Sequence, residues 1–291
     1  MKEFGSPYKE IDSRKFNTWC KYTKRLDTYG RGCVHDCHYC YASALLDFRG
    51  LFNTQLPAVA RLDEIRQALN GLTKYDVVRI GSMTDCFQPI EKKQGITYQT
   101  ILLLNYLRIS YLIVTKSDLV ASDEYCEIYD KELAHFQISI SSTDDDKCLE
   151  YEKAPVTSKR IRAIEKLYKA GFDISVRLSP FMFEWCDIDV INAINCNKIL
   201  IEFLKVNHWI QKRFKIDYSE YSLHFGGHLN LQLERKIELV EKITGFKQKS
   251  VGEYVKDHYL YFRDNVNFNK NDCCNLNLKH YETINQLQLW R

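Results

Sequence analysis

No stretch of this 291-residue chain is apolar for long: the greasiest run, residues 101–104, falls far short of the ~20 residues that span a bilayer. The opening MKEFGSPYKE lacks the apolar segment of a signal peptide. A cytoplasmic protein with no membrane partner is therefore expected. Only 5 prolines and 12 glycines occur, no Pro/Ser/Gly tract marks a linker, and no repeat of 20 to 50 residues stands out. Net charge is also small, at +3, which by itself argues for no polyanionic partner. Hydrophobic residues at 45% and charged residues at 27% are ordinary for a folded soluble protein and exclude disorder.

What is abundant is cysteine. There are 11, an odd number, and in a reducing compartment they should be thiols or metal ligands. The scattered Cys20, Cys86, Cys126, Cys148, Cys186, Cys196 and Cys274 read as small buried hydrophobes.

Short β-rich runs alternate with helical patterns. Strands are expected at 75–80, 111–115, 136–140, 172–176 and 198–203, and helices near 97–108, 122–133 and 157–170. The last helix carries Ile161, Ile164, Leu167 and Tyr168 at helical spacing, a cap at Thr157 or Ser158, and a stop at Gly171. Its cations Lys159, Arg160 and Arg162 read as a solvated face. Strands separated by helices imply parallel pairing. With a first strand before Cys33, about six units end near 204, which predicts an α/β fold: a partial (β/α)6 barrel of parallel strands over 1–204. Residues 205–291 break the rhythm and read as a mostly helical C-terminal extension, suited to binding substrate, with 231–243 its clearest helix. Loops after strands are where chemistry is sought in such folds.

One of those loops is GCVHDCHYCY, residues 32–41. Cys33, Cys37 and Cys40 can each reach a different atom of a compact metal cluster and are one ligand short of closing it. Zinc with His35 or His38 as fourth ligand is the bland alternative, although no second half-site follows. His35 and His38 otherwise read as exposed loop residues.

The spacing C-x3-C-x2-C, with aromatic Tyr39 before the last cysteine, resembles the signature of the radical S-adenosylmethionine superfamily. Residues 81–91, 114–117, 137–141, Arg160, the helix end at Ala170-Gly171 and residues 176–180 resemble its spore photoproduct lyase-like branch over roughly 28–205. The resemblance implies an enzyme in which Cys33, Cys37 and Cys40 hold a [4Fe-4S] cluster and S-adenosylmethionine takes the fourth iron. A reduced cluster would cleave the sulfonium to a 5′-deoxyadenosyl radical that abstracts hydrogen from substrate, with electrons from a flavodoxin- or ferredoxin-type donor. It further implies that Tyr39 holds adenine, Thr84 the methionine amine, Lys116 a carboxylate, Ser139 the cofactor, and Arg177 the cofactor carboxylate. Tyr39 also reads as a packed loop aromatic, Thr84 as a strand-end cap and Arg177 as half of a structural ion pair.

The chain departs from the lyases at Ser82, where that branch carries the cysteine that returns a hydrogen atom. Cys86, in the same loop, is a candidate replacement. Cys273-Cys274 matches no common ligand pattern, so no second cluster is expected, although Cys186 or Cys196 would complete a set.

The basic stretches 9–31 and 205–215, the latter with Trp209 and Phe214 interleaved, suit phosphates and stacked bases or, equally, a cationic outer helix face. A nucleic-acid base or nucleotide is the leading substrate, for repair or modification. A peptide or small metabolite is the second reading, and a non-catalytic zinc- or cluster-stabilised nucleic-acid-binding protein the third.

Overall fold

The computed structural model describes residues 7–10, 20–50 and 57–278; part of the basic stretch 9–31 lies outside them. The first elements are β1 (Tyr8–Glu10), β2 (Lys24–Leu26), β3 (Tyr29–Gly30), α1 (Tyr41–Phe48), β4 (Ala58–Val59), α2 (Leu62–Leu69) and β5 (Val77–Ile80). Then come α3 (Glu91–Gln94), α4 (Ile96–Tyr106), β6 (Ser110–Thr115), α5 (Asp123–Ile128), β7 (Ala134–Ile140), α6 (Asp145–Tyr151), α7 (Thr157–Lys169) and β8 (Asp173–Phe181). The chain continues through α8 (Ile188–Asn192), β9 (Lys198–Phe203), α9 (His208–Arg213), β10 (Leu223–Phe225), β11 (His228–Asn230), α10 (Leu233–Glu241), β12 (Gln248–Val251) and α11 (Lys256–Asn265).

Strands β6 and β7 are buried at every position, as expected where both faces of a parallel sheet are covered. The main sheet runs β1-β2-β5-β6-β7-β8-β9-β12. Its six strands β2, β5, β6, β7, β8 and β9 pair in parallel and are the six units read from the sequence. Antiparallel β1 adds to one edge, and β12 pairs in parallel with β9 at the other. The C-terminal region carries α9, α10 and α11 as expected; the β10–β11 hairpin and β12 were not foreseen. The four residues of β12, QKSV, have no alternation to announce them.

The two faces of the sheet follow from period-two geometry. Leu26, Val78, Ile80, Tyr111, Ile113, Phe136, Ile138, Val176 and Ile201 pack under the helices in the main core. Val77, Leu112 and Val114 face the other way and join Tyr22, Cys274 and Leu276 in a second cluster. Residues 272–278 thus close the N-terminal ends of the strands, where Lys198 Nζ donates to the Asn275 carbonyl at 2.7 Å. The polar side chains Arg25, Arg79, Gln137, Arg177 and Glu202 alternate with the helix-facing set and line the lumen above that floor.

Helix α7 corrects two expectations. Neither Thr157 nor Ser158 caps it: Thr157 Oγ1 donates to the Ser142 carbonyl at 2.6 Å, and Asp145 caps from outside by accepting from Ser158 N at 2.9 Å. Arg160 is fully buried rather than solvated, on the same stripe as Ile164 and Leu167. Gly171 ends the helix as read, at φ +82°.

Candidate active site

The cysteine loop leaves β3 and runs into α1. Its backbone is held from three sides. Val34 N donates to Gln88 Oε1 at 2.8 Å, while Gln88 Nε2 reaches the Gly32 and Asp85 carbonyls. His38 N donates to the Tyr151 carbonyl at 2.9 Å, and the His35 carbonyl accepts from Lys153 N at 2.6 Å. Asp36, itself at φ +42°, takes the Arg213 and Lys153 side chains at 3.0 Å each. These bonds satisfy a loop with little regular pairing of its own.

Cys33, Cys37 and Cys40 are all free thiols. Cys40 is also the N-cap of α1, its sulfur accepting from Ser43 N at 3.4 Å. Cys33 and Cys37 lie close enough to Cys40 to feel its charge. Burial, with Asp85 adding, pushes the Cys33 thiol up to about 12, and burial with Glu152 pushes Cys37 well above the ordinary thiol range. Cys33 and Cys37, that hard to ionise in this loop, fit a donor set completed by bound cationic iron, which stabilises thiolates. Among the described residues no three His, Cys, Asp or Glu side chains are placed to hold a single metal ion. His35 is buried rather than exposed, its Nδ1 3.4 Å from Asp85 Oδ2, and His38 packs edge-on against Tyr151.

Glu152 organises the ground beneath this loop. Its carboxylate accepts from the Tyr39 hydroxyl and pairs with Arg160, while Lys116 Nζ lies 3.4 Å away and the Cys37 thiol 3.5 Å away. Burial would raise its pKa, but Lys116 and Arg160 hold it well below the usual carboxylate range. The Tyr39 phenol is pushed up by burial and by Glu152, so it stays a hydrogen-bond donor. Tyr39 also meets Ser141 Oγ at 2.8 Å, and Lys116 Nζ lies 5.2 Å over its ring. Ser139 is the register partner of Arg177 on the neighbouring strand and gives its carbonyl to Arg160 at 3.2 Å. Thr84 donates to the Tyr29 carbonyl, which leaves its oxygen lone pairs as acceptors.

Asp85 ties two of these loops together. Its carboxylate accepts from Thr115 Oγ1 at 2.6 Å, Lys116 N at 2.7 Å and Phe87 N at 2.8 Å, so the end of β6 is positioned by the loop after β5. Burial opposes its ionisation, yet His35 and these donors bring its pKa below the ordinary value. Sequence reasoning missed Glu152, Asp85 and Ser141. Asp85 stands beside Thr84 in the stretch already singled out, whereas nothing local marks Glu152.

Arg177 and Cys86 lie apart from this group. Arg177 pairs with Glu202 and donates to Gln137 Oε1 on the lumen wall, the structural ion pair that was the alternative for it. Cys86, at 1% exposure, packs in the helix-side core beside Phe87 and against Gly81. Ser82 faces the lumen: its hydroxyl accepts from Arg25 at 3.3 Å, and its carbonyl accepts from the Tyr41 hydroxyl at 3.1 Å.

The second basic stretch divides. Phe214 is fully buried against Tyr39, Tyr151 and Trp185, so it is a core ring and not a base-stacking one. Trp209 remains 39% exposed beside Phe48, with Lys212 over its ring. Cys273 and Cys274 lie with Cys20 at the floor, while Cys186 and Cys196 point to the Ser141 and Ile174 carbonyls. Among the described residues no helix is long and apolar enough to cross a membrane.

No curated protein matches the chain. Among solved structures, a spore photoproduct lyase mutant with bound AdoMet and dinucleoside spore photoproduct is 15% identical with a TM-score of 0.59, covering 90% of this chain and 85% of that one. Spore photoproduct lyase complexed with dinucleoside spore photoproduct is 14% identical, TM-score 0.59, covering 89% and 77%. Another mutant of that lyase gives a TM-score of 0.62 at 15% identity, covering 86% and 79%. At such identities the likeness is one of fold. The model of the Radical SAM superfamily matches residues 28–195, more than half of the chain, and includes all three loop cysteines. The chain belongs to the radical SAM superfamily, whose members bind a [4Fe-4S] cluster and S-adenosylmethionine.

Proposed function

We propose that this protein is a radical S-adenosylmethionine enzyme acting on a nucleic-acid base or nucleotide, in repair or modification. The observation that supports it most is the gathering of the cysteine loop, Tyr39, Thr84, Lys116 and Glu152 at the C-terminal strand ends, above a lumen lined by arginines. Cys33, Cys37 and Cys40 would hold the cluster, which when bound with S-adenosylmethionine supplies a one-electron route to hydrogen abstraction. The chain's own residues then have separate tasks. Thr84 offers lone pairs to an ammonium group. Lys116 offers a cation to a carboxylate, held in place by Glu152 and by Asp85 at its backbone. Tyr39, fixed at its hydroxyl by Glu152 and Ser141, gives a rigid wall beside the cysteines. Ser139 borders the same space from β7. The aromatic packing of Phe214 on Tyr39 and Tyr151 excludes water from one side. Residues 205–291 are the proposed substrate-facing part.

The spore photoproduct lyases among the fold relatives support a nucleic-acid substrate, but Ser82 argues against the lyase reaction itself. An O–H bond is too strong to return a hydrogen atom as a thiol does. Anaerobic reconstitution tests the enzyme reading: iron bound at the loop and 5′-deoxyadenosine formed with dithionite, both lost on Cys33→Ala, Cys37→Ala or Cys40→Ala. A colourless protein with one zinc ion would overturn it. Oligonucleotide binding that weakens steeply with salt supports the substrate class, and a flat salt response opposes it.

A further inference from the structure

Arg25 and Arg79 are register partners on adjacent parallel strands, so their side chains leave the sheet on the same face. That face is the lumen, since their neighbours Leu26 and Ile80 pack with the helices. Arg25 spends one nitrogen on Ser82 Oγ. Among the described residues Arg79 has neither a hydrogen bond nor an ion pair, and the Nε atoms of both arginines are enclosed without an acceptor. Each guanidinium carries five donors and cannot shed its charge, so two side by side repel and leave donors unused. Arg177 adds a third cation across the space, but Glu202 and Gln137 already pair with it. Gln137 itself is fully buried with Nε2 unpartnered.

No carboxylate hydrogen-bonds to Arg25 or Arg79 among the described residues, although the Cys20 thiol below and Glu202 lend Arg79 favourable charge. Glu202 serves Arg177 and Ser179, and Asp27 serves the Ser82 and Met83 amides. Tyr41, 56% exposed at the start of α1, lies near enough to Arg79, Arg25, Cys40 and Arg177 to feel their charges, so the arginines face the same side as the cysteine loop. The floor beneath them is apolar: Val77, one pleat below Arg79, packs with Cys274 and Leu276.

We propose that Arg25 and Arg79 form a binding site for the terminal phosphate of the substrate. This rests on the enzyme reading above and narrows its substrate class to a molecule ending in a phosphate monoester, such as a nucleotide or a phosphorylated strand end. Two adjacent guanidiniums with unused donors match a dianion, and forked donors suit tetrahedral oxygens. A carboxylate would leave one charge unopposed. An internal phosphodiester needs the chain to leave on both sides, and the floor closes one of them.

The test uses full-length protein and thermal unfolding with inorganic phosphate, against acetate at equal ionic strength. Wild type should gain melting temperature with phosphate and little with acetate. Arg79→Met should melt higher than wild type without anions, because an unpaired charge is removed, and should lose the phosphate response; calorimetry should show phosphate affinity falling roughly tenfold or more. Arg79→Lys should retain part of the response. A phosphate response surviving in Arg79→Met, or one matched by acetate, overturns the site. So does a lower melting temperature in Arg79→Met that Cys20→Ser reproduces, for Arg79 would then pair with a thiolate beneath it. Anion binding needs neither cluster nor S-adenosylmethionine, so protein that binds phosphate but assembles no cluster fails the enzyme reading alone. Protein that assembles the cluster and ignores phosphate fails this inference alone.

Discussion

The Arg160 guanidinium and the Glu152 carboxylate form an ion pair closed off from water beneath the cysteine loop. Arg160 also donates to the Pro155 carbonyl at 2.5 Å and the Ser139 carbonyl at 3.2 Å, so both ions have their remaining valences met. Taking such charges out of water is costly, and removing one partner strands the other. Arg160→Ala should therefore lose about 3–5 kcal/mol of stability, read as a lowered urea midpoint. Lys159→Ala, one residue away on the exposed face, should change it by no more than about 0.5 kcal/mol.

That contrast also shows what local sequence carries. Arg160 is in phase with Ile164 and Leu167, so its burial was legible in helical periodicity; weighting charge over phase placed it in solvent. The six parallel strands and the three cysteines were legible because strand period, crossover helices and ligand spacing are local signals. Glu152 was not, because it meets Tyr39 across 113 positions and stands in a connection with no motif. Likewise Cys273 and Cys274 read as holding no cluster, with Cys186 or Cys196 as the only partners the spacing offers. The floor instead brings them to Cys20, a pairing of chain ends that no spacing rule reports.

Gly81 ends β5 at φ +82°, where any side chain is strained, and a Cβ there would collide with the Val114 carbonyl on β6. The backbone cannot yield without breaking the β5–β6 pairing that sets Asp85 and Lys116 in place. Gly81→Ala should cost more than about 1 kcal/mol. It should also weaken S-adenosylmethionine binding in calorimetry. A variant of wild-type stability would mean the strand end relaxes freely.

Lys116 offers a second reading of the same pocket. Its side chain is 14% exposed, and its ammonium lies between Glu152 and the ring of Tyr39. If it serves the cofactor carboxylate, Lys116→Met should raise the dissociation constant for S-adenosylmethionine roughly tenfold or more while iron content stays constant. A purely structural lysine would lower the melting temperature and leave affinity intact.

Cys86 is the candidate to return a hydrogen atom in place of the thiol missing at Ser82, its alternative being a buried thiol. Enclosed in the core, it is held there by apolar packing and its pKa is driven well above the thiol range, chiefly by burial. Cys86→Ala should lose about 1 kcal/mol of stability from the cavity and keep the same products. A change in product distribution with unchanged stability would restore the hydrogen-donor role.

The floor of the barrel carries the clearest pH dependence. Asp173 accepts from His135 Nδ1 at 2.6 Å and pairs with Lys198 Nζ at 2.5 Å. Burial works against its charge, but these two partners hold its pKa at about 2, below the ordinary 3.8. A carboxylate depressed by folding stabilises the native state fully above its unfolded pKa, and loses that contribution as pH falls through the folded value. The drop from 3.8 to about 2 amounts to roughly 2.5 kcal/mol, present above about pH 4 and gone near about pH 2. Asp173→Asn should thus be less stable than wild type by about 2–3 kcal/mol at about pH 6, with the gap closing across that acidic window in urea titrations. A gap independent of pH would place the loss in packing instead. It would also uncouple the floor from this charge, since Asp173 holds the closing segment directly, accepting from Asn277 N at 3.1 Å.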